Sequence, residues 1–113
     1  MDRNALLAAG KPRPHRVETA EMGPVLLRPL TLPELLDAEA GQAAAGDDPL
    51  PRARWMAGVV ARCVCDEAGN RILDDGDVEA VLAWPAAALG RLFREASRLS
   101  SVAPERVVEQ AGN

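Results

Sequence analysis

The sequence predicts a small α+β domain that is mainly α-helical, with one β-hairpin and four to six short helices around a small core. From Arg52 to Cys65, apolar residues recur every four positions in two adjacent rows, which places them on one face of a helix. From Arg16 to Leu30, two short apolar runs flank a Met-Gly-Pro turn, as in a hairpin. With 113 residues, the chain forms one domain, or a small domain that completes its core with a partner.

The first part of the chain predicts an arm followed by the hairpin. Residues 1–15 form this N-terminal arm, in which a short helix runs from Met1 to Gly10 and an extended connector follows. The hairpin then pairs residues 17–20 with residues 25–28, and Pro29 ends its second strand because proline has no N–H to donate.

A strong helix start follows the hairpin. Thr31 and Glu34 have the spacing of a capping box, and Pro33 is tolerated in a first helical turn. The helix is predicted to end near Ala40. Residues 41–51 contain several Gly, Ala and Pro residues and little apolar bulk, so a flexible loop is predicted there.

The central helix is predicted to end near Cys65 and to lead into a fixed corner. Gly69 and Asn70 take positive φ more easily than other residues, which predicts a turn over residues 66–70 and a short extended piece over residues 71–73. An Asp-capped helix follows and ends near Ala83. Pro85 then begins another helix, which runs to about Leu99.

The last segment, residues 101–113, is predicted to be a C-terminal tail with one short helix over residues 104–110. The large apolar residues of the predicted helices give the expected core, and we expect Cys63 within it to be buried and reduced. This core comprises Trp55, Val59, Val60, Cys63, Val78, Leu82, Leu89, Leu92 and Phe93.

The composition argues against several classes of function. The formal net charge is −4 and the pI is about 5.0, which disfavours nucleic acid as a partner. No apolar run reaches the roughly 20 residues of a membrane span, and the N-terminus lacks the layout of a signal peptide. One His and two Cys do not complete a zinc ligand set, so no metal or cofactor is expected. Aromatic residues make up only 3% of the chain, so the core is small. We expect either a marginally stable monomer or a homo-oligomer that associates through the hairpin edge or a leucine face.

No motif in the sequence predicts an enzyme. There is no nucleophile elbow, no phosphate-binding glycine loop and no HExxH motif. The acidic stretch from Asp66 to Asp77 departs from a calcium loop, because its sixth position is Arg71 rather than glycine. Caps and turns explain the paired carboxylates.

Several short motifs follow one another in a fixed order. LTLPE begins a helix, an acidic loop and an Arg-led helix come next, and the chain continues with VCDEAGNRIL, DDGDVEAVLAWP and a terminal VVEQAGN. This order resembles the tail assembly chaperones of long-tailed bacteriophages and prophages over nearly the whole chain. That family has a recurring corner whose counterparts here are Cys63, Val64, Asp66, Glu67, Gly69, Arg71, Leu73, Asp77 and Val78.

The resemblance implies a non-enzymatic protein of the bacterial host cytoplasm. Such chaperones bind the long tape-measure protein, keep it soluble and help to recruit tail-tube protein, and they are usually absent from the finished virion. The alternative is a structural part of a phage-like particle, either a head–tail connector or a tail-completion protein. A helical DNA-binding regulator is a more distant alternative that the acidic pI disfavours.

A chaperone for a helical client needs an apolar groove between helices with a charged rim. The candidate partner-binding residues are on the helix that begins at Thr31 and on the helix that ends near Leu99. Leu35 and Leu36 are about 100° apart on a helix, so one can face the core and the other a client; the alternative is that both are in the core. The full candidate set is Leu32, Leu35, Leu36, Leu92, Ala96 and Leu99.

Overall fold

A computed structural model of the protein describes residues 1–100 and confirms the predicted fold class. Within these residues the chain is mainly helical, with one two-stranded antiparallel hairpin. The tail over residues 101–113 and the short helix predicted at 104–110 lie outside the described residues. The elements in chain order are α1 (Arg3–Ala9), β1 (His15–Thr19), β2 (Gly23–Leu27), α2 (Leu32–Ala45), α3 (Pro49–Cys63), a 3-10 turn (Asp75–Asp77), α4 (Val78–Leu82) and α5 (Ala86–Ser100).

The hairpin forms where the sequence predicts it. Its register pairs His15 with Leu27 at one end and Thr19 with Gly23 at the other. The Thr19 hydroxyl accepts from the Met22 N–H (3.0 Å) and donates to the Gly23 carbonyl (2.9 Å), so one side chain closes the turn. Gly23 has φ +76°, a conformation that a residue with a side chain rarely adopts.

The predicted corner after α3 joins that helix to the hairpin. Arg28 N–H donates to the Cys63 carbonyl (2.8 Å), and Cys65 N–H donates to the Leu26 carbonyl (3.0 Å). The chain then turns and comes back beside itself, so that Cys65 pairs with Arg71. The end of α3 is therefore held by backbone hydrogen bonds to β2, which fixes the hairpin against the helices.

The prediction of a flexible loop over residues 41–51 is wrong for most of that segment. The Ala-rich stretch continues α2 to Ala45, because alanine is the best helix former. Pro49 occupies the first turn of α3, where proline is tolerated, so it begins a helix. The connection is only residues 46–48, and Gly46 ends α2 with φ +59°.

The core surrounds α3, which packs against α2, α4 and α5. Of the predicted core residues, Val59, Val60, Cys63 and Leu92 are buried, and the other five are half-buried against them. Further buried residues complete the core around this predicted set. These are Val17, Leu27, Ala57, Ala61, Val64, Val81 and Ala96.

None of the helices within residues 1–100 is long and apolar enough to span a membrane. The longest, α3 and α5, have 15 residues each, and both have charged side chains along one face.

Candidate functional site

An open groove of about 320 Å³ lies between α2, α3 and α5, and we call it the α2–α3–α5 groove. Its floor is aromatic and aliphatic, and its rim is polar and charged. The floor consists of Leu30, Leu35, Ala38, Trp55, Val59 and Phe93, and the rim of Glu39, Gln42, Arg52, Ser97 and Ser100. An apolar cleft with a polar rim is the usual form of a site that receives another protein's side chains.

Two aromatic rings fix the floor of the groove. Trp55 and Phe93 pack edge to face, with ring centroids 5.4 Å apart and an interplanar angle of 70°. The indole N–H of Trp55 donates to the Ala38 carbonyl (2.7 Å), which holds the ring against α2. The lack of a side chain at Gly41 allows this closeness, since a Cβ there would lie 3.0 Å from the Trp55 ring. The floor is therefore held in place before any partner arrives.

Charges of both signs lie at the rim of the groove. The Arg52 guanidinium lies 6.0 Å from the centroid of the Trp55 ring, within range of a cation–π interaction. Glu39 lies on the opposite wall. At the end of α5, the Ser100 hydroxyl accepts from the Leu30 N–H (3.0 Å) and ties that helix to the segment before α2. A partner that lies along the groove therefore meets both an acidic and a basic group.

Three helical rows in the sequence build the groove, and all have the spacing of one helix face. The sequence prediction of the partner-binding site considered apolar residues on two helices and did not consider the row on α3. The rows are Leu35, Ala38 and Gln42 on α2, Arg52, Trp55 and Val59 on α3, and Phe93, Ser97 and Ser100 on α5.

Of the predicted site residues on α2, only Leu35 lines the groove. It is half-buried, whereas Leu36 is 57% exposed and lies on a different face of the helix. The alternative that both leucines are in the core is therefore wrong. Leu32 is 67% exposed and lies one turn before Leu36, outside the groove.

On α5 the predicted site residues do not line the groove, and the residues one position further along, about 100° around the helix, do. Leu92 and Ala96 are fully buried in the core, so neither is accessible to a partner. Leu99 is half-buried and packs against the core rather than lining the groove. The residues that follow each of them, Phe93, Ser97 and Ser100, line the groove instead.

A buried ion pair positions the α2 wall of the groove. Arg28 is buried at the end of β2, and its guanidinium donates two 2.9 Å hydrogen bonds to the Glu34 carboxylate. Glu34 also accepts from the Thr31 N–H (2.9 Å), as the predicted capping box requires. The hydrogen bonds from Arg28 lower the pKa of Glu34 to about 2, against the opposing effect of burial. One carboxylate therefore fixes the start of α2 and neutralises a buried guanidinium.

A second arginine holds α2 from the side of α3. Arg62 donates to the Glu34 carbonyl (3.2 Å) and pairs with the Asp37 carboxylate. The relative position of α2 and α3 thus depends on polar contacts as well as on apolar packing. The sequence reading identified neither arginine as important.

Both cysteines are buried in the described part of the chain. Cys63 is buried, as predicted, and forms no disulfide, and burial raises the pKa of its thiol to about 12. Burial also raises the pKa of the Cys65 thiol, so both thiols are neutral and poor nucleophiles at neutral pH. Among residues 1–100, no three His, Cys, Asp or Glu side chains lie close enough together to hold a metal ion.

Comparison with known proteins finds no matching family model, no matching curated protein and no matching solved structure. What the chain binds must therefore be inferred from its own surface. The α2–α3–α5 groove is the strongest candidate, because it combines fixed aromatic side chains with an accessible apolar floor.

Proposed function

We propose that this protein is a non-enzymatic tail assembly chaperone of a long-tailed phage or prophage. It binds apolar helical segments of the tape-measure protein, keeps that protein soluble in the host cytoplasm and helps to recruit tail-tube subunits. The observation that carries the proposal is the α2–α3–α5 groove, together with the order of motifs that resembles this family.

The groove suits a helical client better than a small ligand. It is open along one side, and its 320 Å³ accommodates a few aliphatic side chains from one face of a helix. Trp55 and Phe93 supply rigid apolar contact at little cost in conformational entropy, as aromatic anchors do at interfaces. A long client with repeated apolar helix faces offers many segments that fit, which is what a solubilising chaperone requires.

The test is rescue of the tape-measure protein on co-expression. Ser97 is an exposed groove residue on α5, so Ser97→Arg places a long charged side chain across the floor without removing a core contact. We expect this variant to fold like the wild type and to leave the tape-measure protein in the insoluble fraction. Ala87→Arg is the matched control, because Ala87 is exposed on the same helix and lies outside the groove.

Rescue by a folded Ser97→Arg variant would contradict the groove as the client site. The chaperone role itself is tested by particle composition. A chaperone is expected in lysates of phage-producing cells and absent from purified particles, whereas a head–tail connector or tail-completion protein remains in the particle. Stoichiometric recovery of the chain from purified particles would support the structural alternative.

A further inference from the structure

The N-terminal helix α1 has an apolar face that its own chain leaves uncovered. Every residue from Met1 to Gly10 is exposed, and Leu6 and Leu7 are each 61% exposed. The helix has seven residues, and its N-cap is Asp2, whose carboxylate accepts from the Ala5 N–H (2.8 Å). Isolated helices shorter than about 12–15 residues are marginal in water, so α1 needs packing from another surface to be well populated.

The arm that carries α1 leaves the body at a fixed place. The connector passes over the corner after α3, where a Cβ on Gly69 would lie only 2.5 Å from the Pro12 carbonyl oxygen. Gly69 is buried beneath this connector. The arm is thus anchored at its base, while the leucines at its far end remain exposed.

The charge of the chain is divided between the arm and the rest. Residues 1–15 contain three Lys or Arg side chains and one acidic side chain. The remaining residues contain ten basic and sixteen acidic side chains. The basic arm is therefore attracted to the acidic body of another copy, which favours association between copies of this chain.

The acceptor surface is the outer face of α2, which we call the α2 ridge and define as Leu32, Leu36 and Ala43. These residues are four and seven positions apart, so they share one helix face, and all three are exposed. Leu32 and Leu36 are 67% and 57% exposed. Glu39 flanks the ridge, and the sequence of α2 contains three acidic residues and no Lys or Arg. The ridge is thus apolar and acidic, whereas the arm is apolar and basic.

We propose that the protein self-associates by docking α1 of one copy onto the α2 ridge of a second copy. Leu6 and Leu7 cover Leu32 and Leu36, and the basic residues of the arm lie near Glu39. Reciprocal docking in a pair covers both arms and both ridges and closes the assembly. Leu32, Leu36 and Ala43 do not line the α2–α3–α5 groove, and Glu39 borders both surfaces. The inference rests on the ridge and the arm and does not depend on the proposed function.

The test is sedimentation equilibrium of the full chain at tens of micromolar. We expect a mass above that of one 12.0 kDa chain. Both the double variant Leu6→Asp/Leu7→Asp and the single variant Leu36→Asp are expected to raise the dissociation constant by about tenfold or more, because each puts charge into an apolar contact. Leu50→Asp is the control, since Leu50 is also a highly exposed leucine (63%) but lies on α3.

Mixing the variants identifies which surfaces meet. The arm variant retains an intact ridge, and the Leu36→Asp variant retains an intact arm. An equimolar mixture is therefore expected to associate more tightly, as a heterodimer, than either variant does by itself. Association that is lost in the arm variant but kept in Leu36→Asp would indicate arm-to-arm contact and overturn the proposal. A wild-type chain that remains monomeric at tens of micromolar, or an oligomer that both variants leave unchanged, would overturn it as well.

Discussion

Single residues hold the corner and the α2 wall in place. Among them, Arg28 most needs a partner, because its charge is buried. It carries a buried positive charge at a place where the backbone of β2 already bonds to α3. The charge is tolerated because the Glu34 carboxylate accepts two hydrogen bonds of 2.9 Å from the Arg28 guanidinium. A buried charge whose partner is removed keeps its desolvation cost and loses its compensation.

We therefore expect Glu34→Gln to lower the free energy of unfolding by about 3 kcal/mol, the lower end of the range for a broken buried pair. The lower end applies because the Glu34 side chain retains 20% exposure. Urea unfolding monitored by tryptophan fluorescence measures the change. Glu18→Gln is the control: it breaks the exposed Arg16–Glu18 pair, and a cost below about 1 kcal/mol is expected. Equal costs for the two variants would show that the Arg28 pair contributes no more than a surface contact.

The same pair predicts how stability depends on pH. The pKa of Glu34 is about 2 in the folded protein and 4.5 as its ordinary value, so the unfolded chain binds a proton that the folded chain does not. The stabilising contribution is fully present above pH 4.5 and is lost as the pH falls towards 2. Urea unfolding at several pH values in this window is expected to show a steeper loss for the wild type than for Glu34→Gln. Parallel curves would contradict the assignment.

Glycine is required at position 69 for two reasons, and a comparison with Gly23 separates their effects. Gly69 has φ +83°, and a Cβ there would also meet the Pro12 carbonyl oxygen at 2.5 Å. Gly23 has φ +76° with nothing within 4 Å of its Cβ position. Gly23→Ala should therefore cost only the backbone strain, about 1 kcal/mol, whereas Gly69→Ala should cost at least about 2 kcal/mol. Thermal unfolding of the two variants measures the difference, and equal costs would mean that the connector moves aside freely.

At the scale of elements, α3 is the helix around which the others pack, and its apolar rows were readable in the sequence. Val60 is fully buried at the centre of this helix. An unpaired carboxylate at that position costs several kcal/mol, a large part of a total of about 5–10 kcal/mol, so Val60→Asp is expected to unfold the protein. Far-UV circular dichroism measures the result. Leu50→Asp, on the exposed start of the same helix, is expected to remain folded.

The helices and the hairpin could be predicted because each has its own local signal. The apolar rows of α3, the Thr31–Glu34 capping box and the Gly69 turn depend only on neighbours in the chain. The extent of α2 was missed because Gly, Ala and Pro were read as loop residues, although alanine extends a helix and proline can begin one.

The groove was harder to predict, because it depends on which face of each helix meets its neighbours. On α5, a broad apolar stripe runs from Leu89 to Leu99, and the sequence does not say which edge of it packs innermost. Leu92 and Ala96 face the core and Phe93 faces the groove, a difference of one residue. The Arg28–Glu34 pair was missed for a similar reason: local capping explained Glu34, and nothing along the chain indicated that Arg28 is buried.

At the scale of the whole molecule, several large apolar side chains of this 12.0 kDa chain are exposed and lie outside its core. Leu6 and Leu7 on α1, and Leu32 and Leu36 on α2, are exposed in a single copy, and the proposed docking covers them between two copies. A protein that gains burial by association gains stability by mass action, so its apparent stability depends on its concentration.

The melting temperature is therefore expected to rise with protein concentration. Above the dissociation constant, a tenfold increase adds about 0.7 kcal/mol per chain, or about 3 °C for a domain of this size. The Leu6→Asp/Leu7→Asp variant removes the contact but no buried side chain, since both leucines are exposed in the single chain. Its melting temperature is expected to be independent of concentration and to match the value that the wild type approaches on dilution. Differential scanning fluorimetry over a hundredfold range of concentration makes this measurement. A wild type whose melting temperature stays constant over that range would rule out self-association as a source of its stability.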